Sequence, residues 1–403
     1  MKIEDCPGIA PTIFSAPWVL PIAQPPIRNG WVAVDAGRIT SVGCGRAPGP
    51  VTEVDGAILP GLVNAHTHLE LSWMRDQVAP ASTMPQWVER LMALRRTVGH
   101  EPAEPIVNGV RDAREAGTAV VGDITNTLAA YQALANSPLS GVIFRELLGF
   151  NVAEPAAIVA AARAQIDGLP ANVRLRAQVV PHAPYSVSPA LLRAIADAAG
   201  SVPLSIHLAE SAEEVEFLRT GTGAWRELLA SLGVWSDAWQ APGIGPVEYI
   251  ASHGLLSDRL LAVHCVQLTD GELRQLADAG ATVVTCPRSN RWTGAGLPPV
   301  GRFYASGVRV AVGTDSLSSV EDLNLFTELR LMRELAPDVP AREILSSATR
   351  HGADALGFGS DLGTLEVGKR AEMIAVTVPA GTVDVEEYLL TGIEPSQITW
   401  LSG

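Results

Sequence analysis

His66 and His68 stand two apart in Asn64-Ala65-His66-Thr67-His68-Leu69-Glu70, directly after the apolar run Ala57-Ile58-Leu59-Pro60-Gly61-Leu62-Val63. That run is long enough for one buried strand and too short for a helix of its own. On an extended chain the side chains alternate faces, so the two imidazoles project to the same side and can grip one cation together. A lone strand histidine is ordinarily a hydrogen-bonded core residue, and two ligands do not make a site. His207 and Asp315, each ending another apolar run, supply the rest. Three imidazoles and one carboxylate form a nitrogen/oxygen set suited to one divalent ion, Zn²⁺ or Fe²⁺, with a position left for water. A cation so held brings the pKa of bound water towards neutrality and makes hydroxide available as a nucleophile.

Proton transfer needs a second set of groups. Glu210 follows His207 by three residues in His207-Leu208-Ala209-Glu210-Ser211. Elsewhere such a glutamate would be a solvated helix-start residue, but beside a ligand a partly desolvated carboxyl can shuttle protons. His264 ends the run Leu260-Leu261-Ala262-Val263-His264 and would orient water or stabilise developing charge. His182, in Pro181-His182-Ala183-Pro184-Tyr185-Ser186, would donate to a substrate ring nitrogen or carbonyl.

Strands must position these groups. Eight short apolar runs alternate with helical patterns: the one before His66, then 118–123, 141–146, 175–182, 203–207, 260–264, 281–286 and 308–315. His66/His68, Asp123, Glu146, His182, His207, His264 and Asp315 each fall at the C-terminal end of a run, the end where a (β/α)₈ barrel does its chemistry. Ordinary buried strands of another fold would not collect ionisable residues at one end, so an α/β chain with a TIM-like barrel over 59–363 is expected. Short strands at both ends, with Asp35-Ala36-Gly37 as hairpin chemistry and Met373-Ile374-Ala375-Val376 near the C-terminus, predict a small β-sandwich domain from 1–58 and 364–403. The long connection from Ser211 to about Arg259 carries Trp225, Trp235 and Trp239. It reads as a helical excursion on the rim, placed where it can roof the pocket.

Bulk properties narrow the partners. An apolar content of 47% with 18% charged residues excludes a mainly disordered chain. A net charge of -14 with no basic run disfavours nucleic acid and anionic membrane surfaces. Cys6, Cys44, Cys265 and Cys286 form no Cys-x-x-Cys pair and read as reduced thiols of a cytoplasmic protein. The apolar segment from Ile9 to Ile27 is broken by Pro11, Pro17, Pro21, Pro25 and Pro26, so it does not read as a signal peptide. A small-molecule substrate is the expected partner, and a homodimer is left open.

Five stretches together resemble the amidohydrolase superfamily, in its nucleobase and nucleoside deaminase/chlorohydrolase branch. They are Pro60-Gly61-Leu62-Val63-Asn64-Ala65-His66-Thr67-His68, His207-Leu208-Ala209-Glu210, Val263-His264-Cys265-Val266, Cys286-Pro287-Arg288-Ser289-Asn290 and Gly313-Thr314-Asp315-Ser316. The resemblance implies a mononuclear site with His66, His68, His207 and Asp315 as ligands. It gives catalytic roles to Glu210 as proton shuttle, to His264 as electrostatic helper and to Asp315, which shares the proton of the attacking water. Dinuclear members usually bridge two ions with a carboxylated lysine, whereas the lysines here are Lys2 and Lys369, outside the barrel.

Within that branch the motifs are most similar to the aminodeoxyfutalosine deaminases of menaquinone synthesis. Next come the deaminases of adenosine, methylthioadenosine and S-adenosylhomocysteine; deamination of a free base such as guanine, or triazine dechlorination, is the alternative. The implied reaction is hydroxide attack at the amine-bearing carbon of a 6-aminopurine nucleoside, with loss of ammonia. A barrel that has lost catalysis and serves as a binding protein is disfavoured, because all the expected ligands are retained. For the substrate, His182, Glu146, Glu70, Arg288, Ser289 and Asn290 are candidate contacts. Glu146 and Glu70 would accept from ribose hydroxyls, and Arg145 or Arg288 would meet a carboxylate. Arg145 and Glu146 are consecutive, so only one can face the pocket, and Glu146 is preferred.

Overall fold

The computed structural model describes residues 11–98 and 102–401. Residues 1–10, with Cys6 and the first two residues of the segment from Ile9 to Ile27, lie outside that range. All eight expected barrel strands form: β6 (Leu62–Thr67), β7 (Thr118–Thr125), β8 (Ser140–Leu147), β9 (Leu175–Pro181), β10 (Leu204–Leu208), β11 (Leu260–His264), β12 (Thr282–Thr285) and β13 (Arg309–Val312). They pair in parallel as two four-stranded halves, β6-β7-β8-β9 and β10-β11-β12-β13. Right-handed crossovers through helices are what parallel neighbours require. The β-branched and aliphatic residues of these strands, Val120, Val142, Val180, Ile206, Val263, Val284 and Val310 among them, join one buried cluster with the surrounding helices.

The halves close into a (β/α)₈ barrel at two seams, each stitched by residues of the site. At one, the His207 amide donates to the His182 carbonyl at 2.9 Å. At the other, the Asp315 amide donates to the His66 carbonyl at 3.0 Å, and the Asn64 and Thr314 side chains and backbone clasp each other at 2.8 and 3.1 Å. Gly313 has no Cβ because one would sit 2.5 Å from the His66 carbonyl oxygen.

The two chain ends meet in one sheet. Its members are β1 (Thr12–Val19), β2 (Ile27–Asp35), β3 (Arg38–Cys44), β4 (Thr52–Glu53), β5 (Ala57–Pro60), β14 (Met373–Val376) and β15 (Ile398–Leu401). The order is β15-β14-β5-β1-β2-β3, with β4 beside β1. Two expectations are corrected here. The apolar run from Ala57 to Val63 is two strands, because the chain changes partners at Gly61: β5 pairs with β1 and β14, whereas β6 pairs with β7. The boundary between small sheet and barrel therefore lies at Gly61 and not at 58/59. The seven strands of the small unit are hydrogen-bonded in one series among the described residues, and residues of β1, β2, β3, β5 and β14 enclose one apolar core. The β2–β3 hairpin turns at Ala36 and Gly37, both in the left-handed region at φ 48° and 74°, as a two-residue turn between right-twisted strands demands.

After β10 the chain makes helices Ala212–Thr220, Ala224–Ser231 and Pro246–Ser252. Aromatic residues of this excursion pack on one another and on the loop after β8: Phe217 stacks on Trp239 at 4.6 Å, and Trp235 on Phe150 at 5.6 Å. Among the described residues no helix is long and apolar enough to cross a membrane.

Candidate metal centre and active site

Five of the chain's eight histidines converge at the C-terminal mouth of the barrel. The Nε2 atoms of His66 and His68 lie 3.2 Å apart. Asp315 Oδ1 is 3.5 Å from His68 Nε2 and 3.9 Å from His66 Nε2. His207 donates from Nδ1 to the His182 carbonyl at 2.9 Å, which leaves Nε2 for the centre. One ligand atom each from His66, His68 and His207 falls within a 4.8 Å sphere of mutual distances, and the same holds for His66, His264 and Asp315.

Burial, followed by the neighbouring rings, pushes the His66 and His68 pKa values well below the usual imidazole range. Burial brings His207 to about 4. These imidazoles are therefore neutral and carry lone pairs, the form that binds a metal. Burial also raises Asp315 to about 7 despite the Ser289 hydroxyl that donates to its Oδ2 at 2.6 Å. A cation between these groups would satisfy the crowded lone pairs and return Asp315 to its carboxylate form. The donor set fits one divalent ion.

Glu210 is buried beside the cluster, with Oε2 3.5 Å from His264 Nε2. Desolvation, then Asp315 and Glu214, raises the Glu210 pKa well above the carboxylate range. His264 is held neutral by burial, so the contact is not an ion pair. Backbone strain aims both groups: Ala209, His264 and Asp315 adopt left-handed φ values of 48°, 72° and 63°, a conformation that costs non-glycine residues and gathers at working sites. Glu214 fixes the first of these turns. Its buried carboxyl accepts from the amides of Ala209 at 2.8 Å and Glu210 at 3.1 Å. Sequence reasoning missed Glu214, although Ser211-x-x-Glu214 is the pattern of a capping box. Ser211 does cap the helix through the Glu214 amide, but the glutamate reaches past Ser211 to the two residues before it.

A cavity of about 410 Å³ opens above the cluster. His182, Glu146, His68, His207, Glu210, His264 and Asp315 line it. His182 Nδ1 lies 2.6 Å from the Ser186 hydroxyl. Glu146 Oε2 accepts from Asn126 Nδ2 at 2.9 Å, while Arg145 turns outward to Gln165, as strand alternation requires.

Four candidate contacts are placed elsewhere. Arg288 is 5% exposed, and its guanidinium is consumed by Glu328 at 2.7 Å and Asp322 at 2.8 Å, so it braces the helix Leu325–Leu335 instead of meeting a ligand. Glu70 is buried and accepts from the Thr125 and Thr127 hydroxyls and the Asn126 and Thr127 amides. It pins the loop after β7, with no acceptor left for a ribose. Ser289 and Asn290 point at Asp315 and at His264 Nδ1, 2.6 and 2.9 Å away, and so orient side chains of the centre from behind.

The sequence reading also missed Asn126 and the aliphatic residues of the apolar wall. Trp225, Leu228, Leu229, Leu232 and Val234 of the excursion after β10 line the cavity, with Trp225 stacked on Tyr185 at 3.8 Å. The excursion does cover the pocket.

Known proteins agree with this architecture. The sequence model of the amidohydrolase family matches residues 57–390. The aminodeoxyfutalosine deaminase of Deinococcus radiodurans is 34% identical over 322 residues, 77% of this chain and 76% of that protein. The 5-methylthioadenosine/S-adenosylhomocysteine deaminase of Moorella thermoacetica is 32% identical over 380 residues, 89% of this chain and 83% of that one. A crystal structure of an adenosine deaminase from Xanthomonas campestris, with bound zinc, superposes at a TM-score of 0.80 and 27% identity, covering 98% of this chain and 92% of the other. The chain belongs to the amidohydrolase family and is a hydrolase of carbon–nitrogen bonds.

Proposed function

We propose that this enzyme is a hydrolytic deaminase of 6-aminopurine nucleosides, with aminodeoxyfutalosine as the specific substrate. Relatives of the two deaminase kinds support the broader reading, and the Deinococcus radiodurans relative supports the narrower one. His66, His68, His207 and Asp315 would hold one divalent ion, Zn²⁺ or Fe²⁺. Such an ion supplies Lewis acidity that makes water a nucleophile at neutral pH.

The observation that carries the reading is Glu210, a buried carboxyl 3.5 Å from His264 and next to the ligand cluster, whose pKa burial raises. An amine leaves as ammonia only after it is protonated, whereas chloride needs no proton. Glu210 delivers a proton from its carboxyl oxygen to a ring nitrogen as the carbon is attacked, takes the hydroxyl proton of the adduct as the carbonyl forms and relays it to the departing amine; the water proton held by Asp315 then restores Glu210. His264, neutral and 3.5 Å from Glu210, steadies the charge that develops beside it. Asp315, oriented by Ser289, accepts the proton of the attacking water. Glu146 stands ready for the ribose hydroxyls and His182 for the purine edge, both on the cavity wall.

The test is ammonia release from adenosine, methylthioadenosine and aminodeoxyfutalosine, with guanine and a chlorotriazine as contrasts, alongside metal analysis of the purified protein. Turnover of the nucleosides with about one metal ion per chain is expected. Chloride release without nucleoside turnover would overturn the proposal.

A further inference from the structure

A neutral imidazole carries one ring proton, and the nitrogen that bears it decides what the ring can do. With the proton on Nε2, His264 can only donate into the centre. With it on Nδ1, the Nε2 lone pair would take a proton from water or join the ligands. Position alone leaves both open, since Nε2 lies 3.5 Å from Glu210 Oε2 and a ring nitrogen of His264 falls within 4.8 Å of ligand atoms of His66 and Asp315.

Asn290 closes one of these routes. It sits on the helix Pro287–Thr293 after β12 with its side chain fully buried, and its Nδ2 is 2.9 Å from His264 Nδ1. An amide nitrogen donates and never accepts, so Nδ1 must offer a lone pair and the ring proton goes to Nε2. The ring is held for that contact: His264 and Cys265 take left-handed φ values of 72° and 54°, and the imidazole is stacked on His207 at 5.4 Å and edge-on to His66 at 5.6 Å. The Asn290 amide in turn donates to the Cys286 carbonyl at 3.0 Å. Turned end for end, the side chain would carry both its N–H groups into the place where Oδ1 now finds no partner among the described residues, and orphaned buried donors are rarer than orphaned acceptors.

We infer that Asn290 is a positioning residue that fixes His264 as the Nε2–H tautomer, which makes the ring a standing donor to the centre and bars it from taking the water proton or joining the ligands. The proton of the attacking water is then left to Asp315, and His264 spends its N–H on oxygen that gains charge as the carbon is attacked. That catalytic consequence rests on the deaminase reading; the place of the ring proton does not.

The experiment records long-range ¹H–¹⁵N correlations of the zinc-loaded enzyme labelled in its histidine rings, which tell a nitrogen that bears a proton from one with a lone pair. A His264→Gln variant assigns the ring by the signals it removes. Wild type should show Nε2 protonated and Nδ1 bare. Asn290→Ala, which deletes the donor and imposes nothing in its place, should give a mixture of the two forms and lower kcat by up to about tenfold with KM little changed. Asn290→Asp puts an acceptor at the same place, so the proton should move to Nδ1 and kcat for ammonia release should fall at least about 10²-fold. Packing alone predicts the opposite order, because aspartate keeps the shape of asparagine and alanine does not. A protonated Nδ1 in wild type, a wild-type ring pattern in Asn290→Ala, or an Asn290→Asp enzyme faster than Asn290→Ala overturns the inference. No ammonia from any nucleoside would end the deaminase reading and leave the place of the ring proton to stand on the spectrum.

Discussion

Removing the Glu214 carboxyl should cripple catalysis without touching any group that meets the substrate. Its two oxygens are the acceptors for the amides of Ala209 and Glu210, in a turn where Ala209 is left-handed at φ 48°. In Glu214→Ala two buried donors lose their partner, at ~1–3 kcal/mol each, for a stability loss of about 2–6 kcal/mol. The left-handed Ala209 conformation costs about 1–2 kcal/mol, so relaxation of the turn is favoured once those bonds are gone. Relaxation swings the Glu210 carboxyl, and a shift near 1 Å costs on the order of 10²-fold in rate. The expected result for Glu214→Ala is kcat down by roughly that factor, with KM and bound metal close to wild type. Glu214→Gln keeps one acceptor oxygen and should recover most of the activity. Steady-state ammonia release, metal content and thermal unfolding measure the three quantities. If Glu214→Ala keeps kcat within a factor of about 3 while its stability falls by the amount worked out here, the turn does not position Glu210 and the reasoning is wrong.

Further outcomes follow from the same geometry. Arg288→Met strands the Glu328 carboxylate and should destabilise the fold by about 3–5 kcal/mol with KM unchanged; a tenfold rise in KM at unaltered stability would return Arg288 to the substrate site. Ser289→Ala removes the donor 2.6 Å from Asp315 Oδ2 and should weaken metal retention about 10–100-fold in competition with a chelator. Burial raises Glu214 from 4.5 to about 8, so the folded chain keeps a proton that the unfolded chain gives up. This contribution to stability is complete below about 4.5 and declines as pH rises towards about 8. Denaturant midpoints across that window should fall less steeply in Glu214→Gln than in wild type.

Much of the architecture was legible because its signals are local. An apolar run that ends in a histidine or carboxylate announces a barrel strand without knowledge of its neighbours; seven of the eight strands sit where such runs were read, and the eighth, β12, sits in a run that ends in Cys286. Alternation also separated Glu146 from Arg145. What escaped depends on residues distant in the chain. Nothing near Arg288 announces that Glu328, forty residues on, will take its guanidinium. Glu70 looks like a free acceptor until residues 125–127 wrap around it. Gly61 lies inside an unbroken apolar run, and only the strands on either side reveal the change of sheet. The apolar wall was invisible for another reason: tryptophan and leucine on a rim helix look the same whether they face core or ligand.

The two seams of the barrel give the centre a mechanical role. His66 and His68 come from the half built by β6 to β9, and His207 and Asp315 from the half built by β10 to β13. An ion held by all four is a rivet through both half-shells, set where each joint carries few backbone bonds. Stripping it should let amides along those joints exchange with deuterium sooner than amides within either half. Two fragments cut between β9 and β10 should reassemble more tightly when zinc is supplied.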